Sequence, residues 1–355
     1  MTVLRAALVT PLSGPLAPYG VAGAVALGLW SEQAAHLPPP WTSVHLEVVD
    51  AHPSAAAAMR TATALRPDVV FGPYASGPAV AAMRATDRLV WNHGGATDRL
   101  GLPEFAHTVN IPAPASSYFA NVLRSLHAAD PTLLEVSLLH VQTGFGREVA
   151  RGAVQTAKDL GLEVRTLAFE PGQAAESARL LPRGDVLLVA GPFADELVAA
   201  GLLLQRPWRA AGFVGAGVEE ILAPLGALRD GLIGPCQWLA HATLPPDEGP
   251  DTDWFVSVFR AATGGQEPPY PAASAFAAGV VCARTLREAG TPDDAALRAT
   301  AAQLQLRTLF GRFCIDPRTG LQVGHEVLVV QWQEGARRVV WPPELAERPL
   351  ALRAK

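Results

Sequence analysis

Cysteine is scarce in this chain, and the few present suggest no pairing. Cys236, Cys282 and Cys314 are the only three in 355 residues, far apart and odd in number. No CxxC and no Cys/His spacing occurs, which argues against zinc. The three read as buried free thiols, and with no disulfide demanded, cysteine usage leaves the compartment open. Charge is sparse as well. Charged residues are 17% of the chain, the net charge is −5, and no long basic run appears. That argues against nucleic acid as the main partner and leaves a small ligand or a protein. No apolar stretch is long and pure enough for a membrane span. The apolar run in MTVLRAALVTPLSG is too short for a signal peptide followed by a mature start, so it reads as a first strand. Either a secretion signal has been removed from this chain or the protein stays in the cytoplasm. There is no Walker motif, no HExxH and no EF-hand loop, and no solenoid repeat. No metal and no cofactor is expected.

What is present is apolar residues, 49% of the chain, in enough length for two domains with substantial cores. Short apolar runs alternate with Ala/Leu-rich helical patterns. Leu4–Val9, Val44–Val49, Val69–Phe71 and Leu89–Trp91 read as buried strands. Between them Val21, Ala22, Val25 and Leu29, then Ala55, Met59 and Ala62, recur at helical spacing. This alternation predicts an α/β fold, a parallel sheet with helices on both faces. The rhythm restarts with a strand at Val136–Val141, a helix over Phe145–Leu160 ended by Gly161, and strands at Glu163–Phe169, Asp185–Ala190 and Phe213–Gly215. Helices are expected around 174–181 and 194–205. Two βαβ series imply two lobes, with a seam near Asn110–Tyr118, where prolines break the pattern. A mainly helical stretch from Asp251 to Leu304 carries Trp254, Phe255 and Phe259 on one face. Two β-rich runs joined by Glu334-Gly335 then predict a hairpin.

The chemistry centres on turns that follow strands. In GPYASGPA, residues 72–79, Ser76 has Tyr74 where a hydrolase elbow needs glycine, and no partner base is evident. Ser76 reads instead as an N-cap, with Gly77, Pro78 and Ala79 opening the helix. The N–H groups of that turn attract an anion, to which the serine hydroxyl can donate. Capping alone is the plainer reading of a single such turn. A second turn of the same kind, NHGGATDRL at 92–100, argues for a ligand. Thr97 brings a hydroxyl there, and Gly95 a bare amide or carbonyl. Both turns lie at carboxyl ends of predicted strands, where open α/β sheets bind ligands. His93 is either a ligand contact or, the plainer reading, a histidine satisfied within its loop. Tyr19, in the first loop, is placed either to cover a pocket or to pack in the core. Phe145 and Phe193 stand at matching strand ends of the second lobe. GFGREV, at 144–149, lacks the third glycine of a dinucleotide loop.

Taken in order, PLSGPLAPYG, DVVFGPYASGPA, GGATD, LLHVQTGFGREVARG, AGFVGAG and FGRFCIDPRTGLQVGHEVLVVQW resemble the type I periplasmic solute-binding proteins over nearly the whole chain, and in particular the leucine/isoleucine/valine-binding family of ABC importers. The resemblance implies two Rossmann-like lobes with parallel sheets joined by three crossovers, at 1–115 plus 242–323 and 116–241 plus 324–355, with the ligand between them. It implies that Ser76 and Thr97 bind a ligand carboxylate, with Gly95, Ala96, Tyr74 and Ala75 alongside and Tyr19 over the site. It carries the second-lobe aromatics onto Phe145 and Phe193, and one near the hinge helix onto Phe276. Amino-acid binders of the family place an acid in the second lobe for the ligand ammonium; here Gly217 takes that position, and Glu219 lies two residues on. The solute is then an amino acid held through Glu219, or an acid with no amine. Tyr74 and Trp91 favour a flat apolar group. The family's first-lobe disulfide positions are His52 and Ala75, so that staple is absent.

What the resemblance implies is a monomeric, non-enzymatic binding protein, periplasmic or lipid-anchored outside the cytoplasm. It would close like a hinge on a small carboxylate or amino acid and dock on a membrane permease. The alternative keeps the fold in a cytoplasmic amide or amino-acid sensor that controls a regulator.

Overall fold

The computed structural model describes residues 2–33, 37–218 and 221–353. The chain divides into two compact units, Met1–Pro114 with Trp238–Glu326, and Ala115–Gln237 with Val327–Lys355.

In chain order the first unit opens with β1 (Thr2–Thr10), α1 (Ala17–Ser31), β2 (Trp41–Asp50), α2 (Ala55–Ala64), β3 (Val69–Phe71), α3 (Ser76–Met83), β4 (Val90–Asn92) and β5 (Thr108–Asn110). The second unit follows with α4 (Tyr118–Ala129), β6 (Glu135–Val141), α5 (Gly144–Asp159), β7 (Glu163–Phe169), α6 (Ala174–Leu180), β8 (Val186–Ala190), α7 (Phe193–Leu203), β9 (Ala210–Phe213) and β10 (Leu232–Cys236). The chain then returns to the first unit for α8 (Thr252–Thr263), α9 (Tyr270–Ala289), α10 (Asp294–Ala301), β11 (Leu306–Thr308) and β12 (Gly311–Phe313). It ends in the second with β13 (Leu328–Gln333) and β14 (Ala336–Trp341).

The two principal sheets share one plan. In the first unit the order is β2-β1-β3-β4-β5, with every pairing parallel. In the second, β7-β6-β8-β9-β10 repeats that order, all parallel, and β13 and β14 extend the β10 edge antiparallel. Strand order reverses between β1 and β3 in one sheet and between β6 and β8 in the other. Loops leaving the carboxyl ends on either side of such a reversal diverge to opposite faces and open a crevice.

The inner parallel strands bury both faces, as strands covered by helices must, whereas the edge strands β2 and β7 stay partly exposed. Along β1, Leu4, Ala6 and Leu8 enter the core with α1, α8 and α9, while Ala7 and Val9 enter the core beneath α2 and α3. In the second unit Leu187 and Val189 of β8, with Ala211 and Phe213 of β9, pack under α6 and α7. Polar caps set several helix starts: Thr143 accepts from the Gly146 N–H at α5, and Asp251 accepts from the Trp254 N–H at α8. The β13–β14 hairpin turns through Glu334 (φ 54°) and Gly335 (φ 77°), two left-handed residues that match the twist of the flanking strands.

Three expectations need correction. The strand expected at Phe213–Gly215 is Ala210–Phe213, and Val214–Gly217 is a tight 3₁₀ turn. A Cβ on Gly217 would stand 1.7 Å from the Pro235 carbonyl oxygen, so the turn is pressed against β10. Cys314 is partly exposed, whereas Cys236 and Cys282 are buried, and no disulfide joins them. Ser76 is the first residue of α3 and not its N-cap. Ala75 holds that place at φ 74° and ψ 146°, with no side-chain cap.

The α1–α9 contact has no spare volume. A Cβ on Gly279 would lie 2.4 Å from the Trp30 ring, whereas one on Gly28 would meet nothing within 4 Å. Helix propensity favours alanine at both sites. Gly28→Ala is expected to stabilise the protein by about 0.5–1 kcal/mol. Gly279→Ala should destabilise it by about 1–3 kcal/mol through overpacking. Denaturant unfolding of the two variants checks the opposite signs.

Candidate functional site

At the β1/β3 reversal, three of the chain's four tyrosines gather. Tyr19, in the first turn of α1, stacks on Tyr74 at 4.9 Å between ring centroids, with planes 26° apart. The Tyr74 hydroxyl lies 3.1 Å from that of Tyr270, the first residue of α9. All three side chains are half-buried. Burial raises the Tyr19 phenol above its ordinary range, so the ring is neutral and faces a partly apolar environment. The result is an aromatic cluster with a polar rim, in which Tyr270 is tilted 54° from Tyr74.

Two loops run side by side below this cluster. Gly72 leaves β3 at φ 146°, where a Cβ would lie 2.5 Å from the Val9 carbonyl oxygen. The chain then passes Tyr74, bridged to Gly94, and the Ala75 N–H donates to the Gly94 carbonyl at 3.1 Å. Alanine at a positive φ is strained, and such backbone strain concentrates at ligand sites. The first N–H groups of α3 have no intrahelical acceptor, and no side chain caps them. The Ser76 hydroxyl engages no partner among the described residues. Ser76 thus remains available as a donor.

The β4 loop is organised by Asn92. Its amide oxygen accepts from the Gly95 N–H at 2.8 Å, and its amide nitrogen donates to the Gly95 carbonyl at 2.7 Å and to Asn110 Oδ1 at 2.7 Å. Gly95, expected to supply a backbone contact, therefore has both polar groups committed to its own turn. Ala79 also closes off its Cα, 2.4 Å from where a Cβ would stand. Ala96, the next residue, carries the first uncommitted amide of the loop. Thr97 is buried, and its hydroxyl oxygen accepts from the Arg99 N–H at 3.3 Å. His93 corrects another expectation. It is fully buried, and neither ring nitrogen has a hydrogen-bond partner. Its ring lies against Gly23 of α1, and its carbonyl accepts from Ser274 Oγ of α9 at 2.7 Å. Burial lowers its imidazole to about 4. Phe276, expected near the ligand, is 1% exposed and packs in the core on Phe255 at 5.1 Å. The aromatic that α9 brings to the strand ends is Tyr270, which sequence reasoning missed. Its only signal is its place after Pro268-Pro269, at a helix start.

In the second unit the β6/β8 reversal carries Phe145 and Phe193. Phe145 meets Tyr118 edge-on at 5.7 Å, and the Tyr118 hydroxyl accepts from Gln237 Nε2 at 3.1 Å. Phe193 opens α7, and its ring edge would lie 3.4 Å from a Cβ on Gly215. Both rings are half-buried. Beneath Phe193 sits Glu196, fully buried, with the Gly191 N–H at 3.1 Å and the Gly215 N–H at 2.7 Å on its two oxygens. Burial pushes this carboxyl up to about 8 against the pull of those N–H groups. Gly217 has no room for a side chain. Glu219 lies outside the described residues.

Among the described residues, no group of three or more His, Cys, Asp or Glu is placed to hold a metal ion, and no helix is long and apolar enough to cross a membrane. Two doubly wound sheets whose strand-end loops present donors and rings define a solute-binding α/β protein. The sequence pattern of the periplasmic binding proteins matches residues 3–337, and the chain belongs to that family, whose members bind and do not catalyse.

Solved structures share the fold. A leucine-binding protein of Thermotoga maritima MSB8 aligns with a TM-score of 0.76 at 15% identity, over 96% of this chain and 99% of its own. An ABC-transporter solute-binding protein of R. palustris in complex with benzoate gives 0.72 at 18%, over 99% and 96%. Another from R. palustris, in complex with 4-hydroxybenzoate, gives 0.78 at 14%, over 95% of each chain.

His93 and Glu196 give stability opposite pH slopes. His93 titrates at about 4 when folded, below its ordinary 6.5, so the unfolded chain holds the extra proton in between and stability rises with pH there. Glu196 titrates at about 8, above its ordinary 4.5, so the folded chain holds the extra proton and stability falls with pH across that window. The half-buried His140, also lowered, adds to the rising slope. Unfolding free energy should therefore vary little from pH 4.5 to 6.5, then fall by up to about 1.4 kcal/mol per pH unit towards 8. Glu196→Gln should remove that fall, and His93→Leu should start it at lower pH. Denaturant unfolding at pH 5, 6.5 and 8 reads both.

Proposed function

We propose that this protein is the extracytoplasmic solute-binding component of an ABC importer. Its solute is a small carboxylate with an apolar body, either an apolar amino acid or an aromatic or aliphatic acid. The observation that carries this is the coincidence, at one strand reversal, of uncommitted donors and aromatic surface. The Ser76 hydroxyl, the first amides of α3 and the Ala96 amide are directed to the carboxylate, as an anion needs several N–H and O–H donors once it leaves water. Thr97 supplies a further hydroxyl. Tyr19, Tyr74 and Tyr270 pack the apolar body, and the family resemblance carries further ligand aromatics onto Phe145 and Phe193. Leucine, benzoate and 4-hydroxybenzoate, the ligands of the similar proteins, each join a carboxylate to an apolar body, which supports this reading.

An amino acid would also bring an ammonium that needs a carboxylate once desolvated. Gly217 offers none, so Glu219 is the partner proposed for that case. Capture by hinge closure, a monomeric state and docking on a membrane permease follow from the family resemblance and are part of the proposal.

Thermal-shift screening against amino acids, aliphatic acids and aromatic acids identifies the solute, because a ligand raises the midpoint according to its excess over Kd. With that solute, Ser76→Ala and Thr97→Ala should each weaken calorimetric binding by about 1–3 kcal/mol, the loss of one hydrogen bond to a charged group. Replacing the solute's carboxylate by a carboxamide should cost at least as much. Unchanged affinity in both variants would remove the carboxylate from this corner of the fold.

A further inference from the structure

Glu196 is an acid in full burial that the proposed solute contacts leave unused. The ladder between β8 and β9 closes with the pair Val189 and Phe213. Two residues further along each strand stand Gly191 and Gly215. Their N–H groups point at one carboxyl, Gly191 to Oε1 and Gly215 to Oε2. The Glu196 side chain thus takes the place of the next rung, at the point where the two strands part. It does so from the first turn of α7, the helix that Phe193 begins. A Cβ on Gly215 would lie 2.8 Å from Oε2 and 3.4 Å from the Phe193 ring, so carboxyl and ring both line the same side of the turn.

The Glu196 side chain is not what closes the turn onto the rest of the unit. Trp332 Nε1 already holds the Ala216 carbonyl at 2.9 Å, and the Arg337 guanidinium holds the Gly217 carbonyl at 2.8 Å. What the carboxyl adds is the direction of the Gly191 and Gly215 amides and the seat of the Phe193 ring. A buried carboxyl costs several kcal/mol of hydration, according to its ionisation. We propose that Glu196 is a positioning residue for solute capture, which locks Phe193 and the Val214–Gly217 turn into one face against which the solute's apolar body packs. This rests on the assignment of Phe193 to the solute.

The charged groups on the surrounding elements are turned elsewhere. Asp195 of α7 accepts from the Gly172 N–H at 3.0 Å, Arg337 of β14 reaches the Gly217 carbonyl, and Arg229 lies over the Trp332 ring at 3.6 Å. Among the described residues, the carboxyl therefore titrates under burial and backbone N–H groups. Its ionisation as pH passes about 8 places a negative charge behind the solute face and repels an anionic solute.

The test is isothermal titration with benzoate and L-leucine as probes, from pH 6 to 9, well below the denaturation midpoint. For the probe bound by the wild type, Glu196→Gln should raise Kd roughly tenfold at pH 7. It should also abolish the weakening above pH 8. Gly215→Ala presses a methyl on Oε2 while keeping the acid, so it should raise Kd similarly and retain the pH dependence. A Glu196→Gln protein with a lower midpoint but wild-type Kd and pH profile overturns the proposal. So does one too unstable to titrate, if Gly215→Ala binds as tightly as wild type. Wild-type protein that binds neither probe overturns it together with the proposed function. Ser76→Ala separates the two: unchanged binding there, with weakened Glu196→Gln, sinks the carboxylate assignment alone, and the reverse sinks this one alone.

Discussion

A parallel strand covered by helices on both sides has no free face, and the rest of this protein follows from that constraint. Leu8 and Val9 are neighbours in β1, and both are fully buried, one on each side of the sheet. With its faces spent on cores, a sheet of this kind can meet a solute only at the ends of its strands. The chain places there its conformational exceptions. Gly72 and Ala75 take positive φ values, and the Asn92 side chain ties a loop that no ladder reaches. Rigid cores and irregular edges are therefore two results of one packing rule.

That rule also explains what could be read from the residues alone. Strands such as Glu163–Phe169 and Val69–Phe71 announce themselves as short apolar or alternating runs between breakers, and the structure has them at those bounds. The hairpin at Glu334-Gly335 is legible for the same reason, since two adjacent left-handed residues need a particular dipeptide. Periodicity also marks the helices, but it does not say which end of a helix reaches the ligand edge. Phe276 sits six residues into α9 and belongs to the core, whereas Tyr270, at the helix start, reaches Tyr74.

Polar networks are harder to read. Gly95 looks like a bare backbone in the sequence, yet Asn92, three residues back, occupies both of its polar groups. Nothing in the spacing tells that an asparagine will fold over its own turn. Ser76 looks like a cap because serine followed by glycine and proline suits one. In the structure Ala75, at φ 74°, is the cap and Ser76 is already helical. Glu196 is the least visible of all, because its partners depend on where the β8–β9 ladder stops. That ladder ends at the pair Val189 and Phe213, a pairing between two strands that no local spacing announces.

Trp332 and Arg337, which grip the Ala216 and Gly217 carbonyls, belong to the final hairpin. During synthesis the turn after β9 emerges long before the segment that restrains it. Its final form must wait for Trp332 and Arg337 to leave the ribosome. A product terminated before them that retained both principal βαβ series would still lack that grip, so the order of translation makes β13 and β14 late additions to the unit that carries the turn.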